Sequence, residues 1–161
     1  MDLVSALKKD HQSLKKLYSA GLQKKTTLEE KKRIFKKLSV LVPAHSKSEE
    51  QALYSNITEL SRIEHFAYEG FEEHHLVDQL IRELKTVREN HVWEAKFTVV
   101  CELLQHHIDE EEKDLFPKIN KMLSPDIRKE LGKEYRELFS EHSKSPQKEQ
   151  ESKYIPTHAA H

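Results

Sequence analysis

The residues with the clearest chemical meaning in this sequence are histidines and glutamates that occur twice in the same order. His11 precedes the stretch His45-Ser-Lys-Ser-Glu49, and His74 precedes the stretch His107-Ile-Asp-Glu-Glu111 at nearly the same distance. On a helix, residues i and i+4 share a face, so each His-x-x-x-Glu presents an imidazole and a carboxylate together. The sequence therefore predicts two matching half-sites with nitrogen and oxygen donors.

The two half-sites share more than these residues. An acid stands directly before each first histidine, and each His-x-x-x-Glu continues into Glu-x-x-Leu-aromatic. The additional repeated residues are Asp10 and Glu73, then Glu50, Leu53 and Tyr54, and in the second half Glu112, Leu115 and Phe116. The four acids are candidates to orient the imidazoles from outside, although simple exposure to solvent explains them equally well.

A metal centre is the chemistry that this pattern favours. Ionisable groups on the apolar faces of helices are costly to bury without partners. A single such histidine is more often a hydrogen-bonded core residue, but four at matched depth are not independent accidents. Imidazoles and carboxylates without thiolates suit iron, manganese or zinc, and shared carboxylates suit a metal pair. The predicted ligands are His11 and His45 for one metal, His74 and His107 for the other, and Glu49 and Glu111 as bridges.

Helical periodicity shows which elements must position these residues. A first helix is predicted from Asp2 to about Ala20. A second helix is predicted to begin at a capping box of Thr27 and Glu30 and to carry His45 and Glu49 on its apolar face. Pro43 lies inside this second helix and should kink it one turn before His45.

The second half of the chain repeats this arrangement. A third helix is predicted to begin at a capping box of Ser61 and Glu64 and to end near Val87. Asn90 is predicted to cap a fourth helix, which carries His107 and Glu111. A fifth, shorter helix is predicted to begin at Ser124 and Pro125 and to end near Ser140.

These elements predict an all-α fold, an up-down-up-down antiparallel four-helix bundle with a short fifth helix and a disordered C-terminal tail. The bundle domain is predicted over residues 1–142 and a flexible tail over residues 143–161. His158 and His161 are most simply explained as residues of that tail.

Composition agrees with long amphipathic helices and excludes several classes of protein. The 161 residues are 36% hydrophobic and 34% charged, with three glycines and a formal net charge of -1. Such a balanced charge argues against a nucleic-acid partner, and no apolar stretch is long enough for a membrane span. The single cysteine, Cys101, rules out an internal disulfide. We therefore expect a cytoplasmic protein.

The full set of ligands, together with the Glu-Glu-x-x-Leu-Phe-Pro stretch at 111–117, resembles the hemerythrin-like, or HHE cation-binding, family. The resemblance covers roughly residues 3–140. The chain does not resemble ferritin-type proteins, whose pattern is Glu-x-x-His. It implies a four-helix bundle that holds two iron ions as an oxo- or hydroxo-bridged non-haem di-iron centre. The implied iron ligands are His11, His45, Glu49, His74, His107 and Glu111.

One departure from that family bears on reactivity. Oxygen-carrying hemerythrins have a second histidine four residues after the first one on the third helix, and this chain has Asp78 there. The departure favours reaction with, or sensing of, dioxygen, peroxide or nitric oxide over reversible oxygen carriage. It either leaves one iron more open or lets Asp78 approach it.

Several functional alternatives stay open at the level of sequence. Peroxidase-like, catalase-like or nitric-oxide-handling turnover, with an electron donor of unknown identity, is one hypothesis. A sensor or storage module for oxygen or iron without turnover is the second. A dinuclear zinc or manganese hydrolase is the weakest, because the sequence indicates no further general base.

The remaining candidates have weaker claims to the site. His75 and His106 lie about 100° round the helix from their neighbours and are expected at the surface. Tyr18 is expected to pack in the core rather than to direct its hydroxyl at the metals, and Cys101 to be buried. Surface positions are expected for His65, His91 and His142.

Overall fold

The computed structural model describes residues 1–144, which form helices joined by short connections and contain no strand. The four long helices of the bundle are α1 (Leu3–Leu22), α2 (Leu28–Glu49), α4 (Glu64–Leu84) and α5 (Asn90–Glu110). Shorter elements are α3 (Ser55–Ile57) and α6 (Phe116–Met122), and the last helix is α7 (Pro125–Lys144). The all-α bundle predicted from the sequence is thus confirmed. Across residues 1–144, no helix has the length and apolar character needed to cross a membrane.

The first hairpin begins with the predicted helix boundaries. The side chain of Thr27 accepts a hydrogen bond from the backbone of Glu30, and the Glu30 side chain accepts one from the backbone of Thr27. This reciprocal capping box satisfies two amide groups that would otherwise lack partners at the start of α2. Helix α2 then continues through Pro43, which is buried, to Glu49.

Two predicted caps in the second hairpin are wrong. Helix α4 begins after Ile63 without a side-chain cap, because the carbonyl of Leu60 accepts hydrogen bonds from the Ile63 and Glu64 amides. Helix α5 is capped by Glu89 rather than Asn90. The Glu89 carboxylate accepts hydrogen bonds from the amides of His91 and Val92, at 3.0 and 2.7 Å.

Helix α7 is longer than the short fifth helix predicted, since it spans 20 residues and continues to Lys144. It packs along α1 and α2. The predicted tail over residues 143–161, with His158 and His161, lies almost entirely outside the described residues, and its disorder stays a prediction.

The core consists of two hydrophobic clusters with a polar layer between them. On α1, Leu7 belongs to one cluster and Leu14 to the other, and His11 lies between them. On α4, His74 lies in the same way between Ala67 and Val77. The apolar residues therefore enclose the predicted ligands from both ends of the bundle, which removes the site from bulk water.

A π-helical turn lies at each glutamate predicted as a bridge: one begins directly after Glu49, and the other begins at Glu111. The first turn spans Glu50–Tyr54 and the second spans Glu111–Leu115. A π-helix closes hydrogen bonds from i to i+5, so its wider turn shifts the residues after it relative to an α-helix, often at functional sites. Both π-helices overlap the repeated Glu-x-x-Leu-aromatic motif, the second one residue earlier in the repeat than the first, so the sequence repeat is also a structural repeat.

Candidate metal centre

The six predicted ligands lie together in the polar layer and are all buried, with at most 7% of any residue exposed. They form two groups whose donor atoms lie within 4.8 Å of one another. The first group is His11, His45, Glu49 and Glu111, and the second is Glu49, His74 and His107. Glu49 belongs to both groups.

The carboxylate of Glu49 faces the inner nitrogens of three histidines. Its Oε2 atom lies 3.6 Å from His45 Nε2, 3.5 Å from His74 Nε2 and 3.7 Å from His107 Nε2. The contacts with His74 and His107 join the first hairpin to the second. One carboxylate thus stands between the two predicted pairs of histidines.

Glu111 occupies the corresponding place on the other side. Its Oε2 atom lies 3.3 Å from His11 Nε2, and its Oε1 atom lies 3.4 Å from His107 Nε2. One oxygen is therefore directed at each pair of histidines. The Nε2 atoms of His74 and His107 are only 3.0 Å apart, so a proton or a cation must separate their lone pairs.

Several buried atoms in this layer have no hydrogen-bond partner within residues 1–144. Buried polar groups are nearly always hydrogen bonded in folded proteins, so such atoms need another kind of partner. They include His11 Nε2, His45 Nε2, Glu111 Oε2 and both carboxylate oxygens of Glu49. All are nitrogen or oxygen donors that a cation in the layer would satisfy, so the residues fit a metal.

The outer nitrogens of the histidines, in contrast, all have partners. His11 Nδ1 lies 3.0 Å from a carboxylate oxygen of Glu112, and His74 Nδ1 lies 3.0 Å from one of Glu50. Each contact crosses between the two hairpins. A carboxylate at Nδ1 accepts a hydrogen bond from the ring N–H there, which leaves the Nε2 lone pair free to bind a metal.

The other two histidines are held differently from each other. His107 Nδ1 lies 3.0 Å from the carboxylate of Glu73. His45 Nδ1 lies 2.8 Å from the hydroxyl of Tyr135 on α7, and this hydroxyl donates to Asp10 Oδ2 at 2.6 Å. The four repeated acids therefore support the imidazoles, and Asp10 does so through a tyrosine.

The repeated aromatic residues cover two of the imidazoles. Tyr54 stacks on His74 with ring centroids 5.3 Å apart, and Phe116 stacks on His11 at 5.5 Å. Only Tyr54 has a polar atom, and its hydroxyl donates to Glu111 Oε1 at 2.5 Å. Gly70 makes room for this ring, because a Cβ atom there would lie 2.4 Å from it.

Comparison with known proteins decides the family. A model of the hemerythrin HHE cation binding domain matches residues 2–119. The chain belongs to the hemerythrin HHE family. No curated protein and no solved structure matches it. The match includes all six predicted ligands and ends before α7.

The electrostatics of this hemerythrin domain separate His45 from the other three histidines. Burial opposes protonation of His11, His74 and His107, but nearby carboxylates outweigh it and raise their pKa values. At His45, burial prevails and lowers the pKa to about 3. The neutral hydroxyl of Tyr135 gives this ring less support than a carboxylate would.

The pKa values of Glu49 and Tyr54 are shifted in opposite directions. Burial would raise the pKa of Glu49, but the surrounding histidines, His45 first among them, hold it well below its ordinary value. For Tyr54, burial and then the charges of Glu111 and Glu49 raise the pKa well above its ordinary value. Tyr54 therefore keeps its proton, and Glu49 stays an anion.

The weaker candidates lie outside the polar layer. His75 and His106 are exposed, as predicted, and His106 forms a surface group with Glu73 and Glu110 at 3.6 and 3.5 Å. Tyr18 and Cys101 belong to the hydrophobic cluster that contains Leu14. His65 and His91 are exposed and His142 is half-buried.

Asp78 does not join either group of ligands. Its carboxylate lies 3.6 Å from Arg82 on the same helix. The side chain is half-buried beside a small cavity that also reaches His74. The residue that replaces a histidine of oxygen carriers therefore lines an opening next to the centre.

Sequence reasoning missed roles for two tyrosines. Tyr54 is the aromatic residue of the first repeat, where the second repeat has Phe116. This difference is the sequence signal that could have indicated a polar role for Tyr54. Tyr135 had no such signal, because α7 has no counterpart in the repeat. Only the packing of α7 against α1 and α2 brings this hydroxyl to His45.

Proposed function

We propose that the six buried residues of this hemerythrin domain hold two iron ions. His11 and His45 would bind one ion, His74 and His107 the other, and Glu49 and Glu111 would each give an oxygen to both. The observation that supports this most strongly is the orientation of the four imidazoles. Every Nδ1 atom faces an outer acceptor, while every Nε2 atom faces a shared carboxylate.

The donor set suits iron, manganese or zinc, and the resemblance to hemerythrins favours iron among them. Neutral imidazoles and carboxylates without thiolates suit borderline divalent metals such as iron, and shared carboxylates suit a dinuclear site. When bound, iron supplies one-electron redox chemistry. The shared carboxylates Glu49 and Glu111 would offset the positive charge of the two ions inside an apolar core, which keeps them there.

A small cavity beside His74 is a candidate place for a small ligand next to the centre. Its volume is about 30 Å³, and it lies between α2 and α4. A cavity needs roughly 10–15 Å³ to hold one water molecule, so this cavity admits a molecule of a few atoms. Its lining residues are Val42, Pro43, Ser46, Lys47, Glu50, His74, Asp78 and Ile81. Dioxygen, peroxide and nitric oxide are ligands of suitable size.

Tyr54 places a proton at the inner edge of the centre. Its hydroxyl donates to Glu111 Oε1 and lies 3.4 Å from His107 Nε2. This phenol keeps its proton beside two metal ligands, and it would donate that proton to a small ligand bound there only by giving up its hydrogen bond to Glu111. This residue and Asp78 support a protein that reacts with its ligand rather than one that carries oxygen reversibly.

The proposed reaction is tested by adding dioxygen, peroxide or nitric oxide to anaerobically purified, iron-loaded protein while its visible spectrum is followed. We expect absorption bands of oxidised iron and catalytic loss of peroxide. Stoichiometric and reversible spectral changes without loss of peroxide would instead select the sensor or storage function. A folded protein that retains no iron would overturn the proposal in either form.

A further inference from the structure

Helix α7 contributes to the centre although it lies beyond the residues that match the hemerythrin domain. The match ends at residue 119, and α7 spans Pro125–Lys144. Its Tyr135 is fully buried, with 0% of the residue exposed. The ring packs in the hydrophobic cluster that contains Leu3 and Leu7 of α1. The hydroxyl end of the ring reaches the polar layer.

The Tyr135 hydroxyl determines the proton position on His45. A hydroxyl has one proton, and Tyr135 donates it to Asp10 Oδ2 at 2.6 Å. Toward His45 Nδ1, at 2.8 Å, the same oxygen must therefore accept. Arg136 donates to both oxygens of Asp10, at 3.1 and 3.0 Å, and fixes the acceptor. His45 thus carries its proton on Nδ1. Its Nε2 atom faces Glu49 without a proton, so the Nε2 lone pair is free to bind a metal.

The second half of the chain shows what this arrangement replaces. Glu73 and His107 occupy the positions that correspond to Asp10 and His45 in the repeat. Glu73 reaches its histidine directly, at 3.0 Å. Aspartate is one methylene shorter than glutamate, and the Tyr135 hydroxyl spans the remaining distance in the first half.

The use of the Tyr135 hydroxyl in place of a carboxylate makes the two halves of the site chemically unequal. Three ligand imidazoles donate to carboxylates, while His45 donates to a neutral hydroxyl. A carboxylate at Nδ1 makes the imidazole a stronger metal ligand than a neutral acceptor does. The metal held by His11 and His45 should therefore be bound less tightly than its neighbour, and its retention should depend on α7.

We propose that Tyr135 is a positioning residue, supplied by α7, that fixes the His45 tautomer and controls how firmly the first metal is held. This inference rests on the proposed two-metal centre. It adds a helix outside the hemerythrin domain to the residues that control the site. Loss of the hydroxyl would free the His45 ring to rotate or change tautomer, whereas the aromatic ring itself only fills the core.

The test measures release of iron from the anaerobic, ferrous-loaded full chain to an excess of a ferrous chelator. For Tyr135→Phe we expect one of two iron ions to leave about 10- to 100-fold faster, the usual range for loss of a residue that orients a metal ligand. The double variant Asp10→Glu/Tyr135→Phe rebuilds the direct carboxylate contact of the second half. We expect it to restore slow release, which a loss of packing alone would not allow.

Tyr18→Phe is the matched control, because Tyr18 is another buried tyrosine and no hydrogen bond within residues 1–144 joins it to the six ligands. Its iron release should equal that of the unaltered protein. The inference is overturned if Tyr135→Phe releases iron within about twofold of that rate, or if the double variant releases it as fast as Tyr135→Phe. An unaltered protein that binds no iron would instead refute the two-metal centre itself.

Discussion

Each ligand histidine is fixed at both ends, and this is the residue-level basis of the site. The outer nitrogen meets an acceptor, and the inner nitrogen meets a shared carboxylate. His11, for example, lies between Glu112 on the outside and Glu111 on the inside. Lys15 in turn holds Glu112 at 2.5 Å. Such chains leave each ring little freedom, so the donor atoms are in place before a metal arrives.

Removal of a shared carboxylate should affect both metals, unlike removal of a neighbouring surface histidine. We expect Glu111→Ala to lose at least one iron per chain, because this carboxylate faces His11 and His107. His106→Ala is the control and should retain both, since His106 is 69% exposed. Metal analysis of the purified variants measures the difference. Equal losses would contradict the register of α5.

The hydroxyl of Tyr54 should stabilise the metal-free protein. Tyr54→Phe leaves a buried oxygen of Glu111 without its donor, which should lower the free energy of unfolding by about 1–3 kcal/mol. Tyr68→Phe is the control, because Tyr68 is 46% exposed. Denaturant unfolding of the two variants provides the comparison. Equal stability of both would show that the Tyr54–Glu111 hydrogen bond contributes nothing.

At the scale of elements, two π-helices and one additional helix position the site. One π-helix begins after Glu49 and the other at Glu111, and they place Tyr54 against His74 and Phe116 against His11. Helix α7 contributes the Tyr135 hydroxyl to the first half, where Asp10 contacts His45 only through that hydroxyl. The sequence repeat thus corresponds to a repeat of helices and π-helices. Helix α7 has no counterpart in that repeat and makes the two halves different.

Docking of α7 depends on Gly132. A Cβ atom at this position would lie 2.7 Å from the backbone of Met1, Asp2 and Leu3, which cannot easily move away. We expect Gly132→Ala to destabilise the protein by about 1–3 kcal/mol, the usual cost of overpacking. Lys133→Ala, at an exposed position of the same helix, should change stability little. Thermal unfolding distinguishes the two, and an unchanged Gly132→Ala variant would contradict close packing of α7.

Sequence periodicity predicted the bundle and brought the six ligand candidates together because helix spacing alone fixes which residues share a face. Sequence periodicity did not predict features that depend on side-chain reach or on tertiary contacts. Glu89 rather than Asn90 caps α5 because the longer side chain reaches two free amides. The role of Tyr135 depends on contacts between residues far apart in the chain, and no local pattern encodes them.

At the scale of the whole molecule, a charged layer lies between two apolar clusters. Such a layer is costly unless its charges compensate one another, so the metal-free protein relies on protonated histidines beside ionised glutamates. Metals can take the place of these protons. Binding of metal, protonation and folding are therefore linked in this protein.

This linkage gives the metal-free protein a pH dependence of known sign. The folded pKa values of His11, His74 and His107 are raised above 6.5, so their stabilising contribution is complete below pH 6.5 and is lost as the pH rises through the folded values. His45 opposes this trend only near pH 6.5, where its imidazole is still partly protonated in the unfolded state, and at higher pH it is neutral in both states.

We therefore expect the unfolding temperature of the metal-free protein to fall as the pH rises above 6.5. Stabilisation by added metal should grow over the same range, because binding requires neutral imidazoles and releases protons. Thermal unfolding with and without metal across this range measures both effects. A metal-free protein that becomes more stable with rising pH would contradict the proposed charge balance of the layer.

In the proposed centre, one buried layer holds two iron ions between its four histidines and two glutamates. Anaerobic titration of the metal-free protein with ferrous iron, with bound iron counted after removal of the excess, tests it most directly. We predict saturation at two iron ions per chain. Saturation at one iron ion, or no retained iron in a folded protein, would contradict the claim.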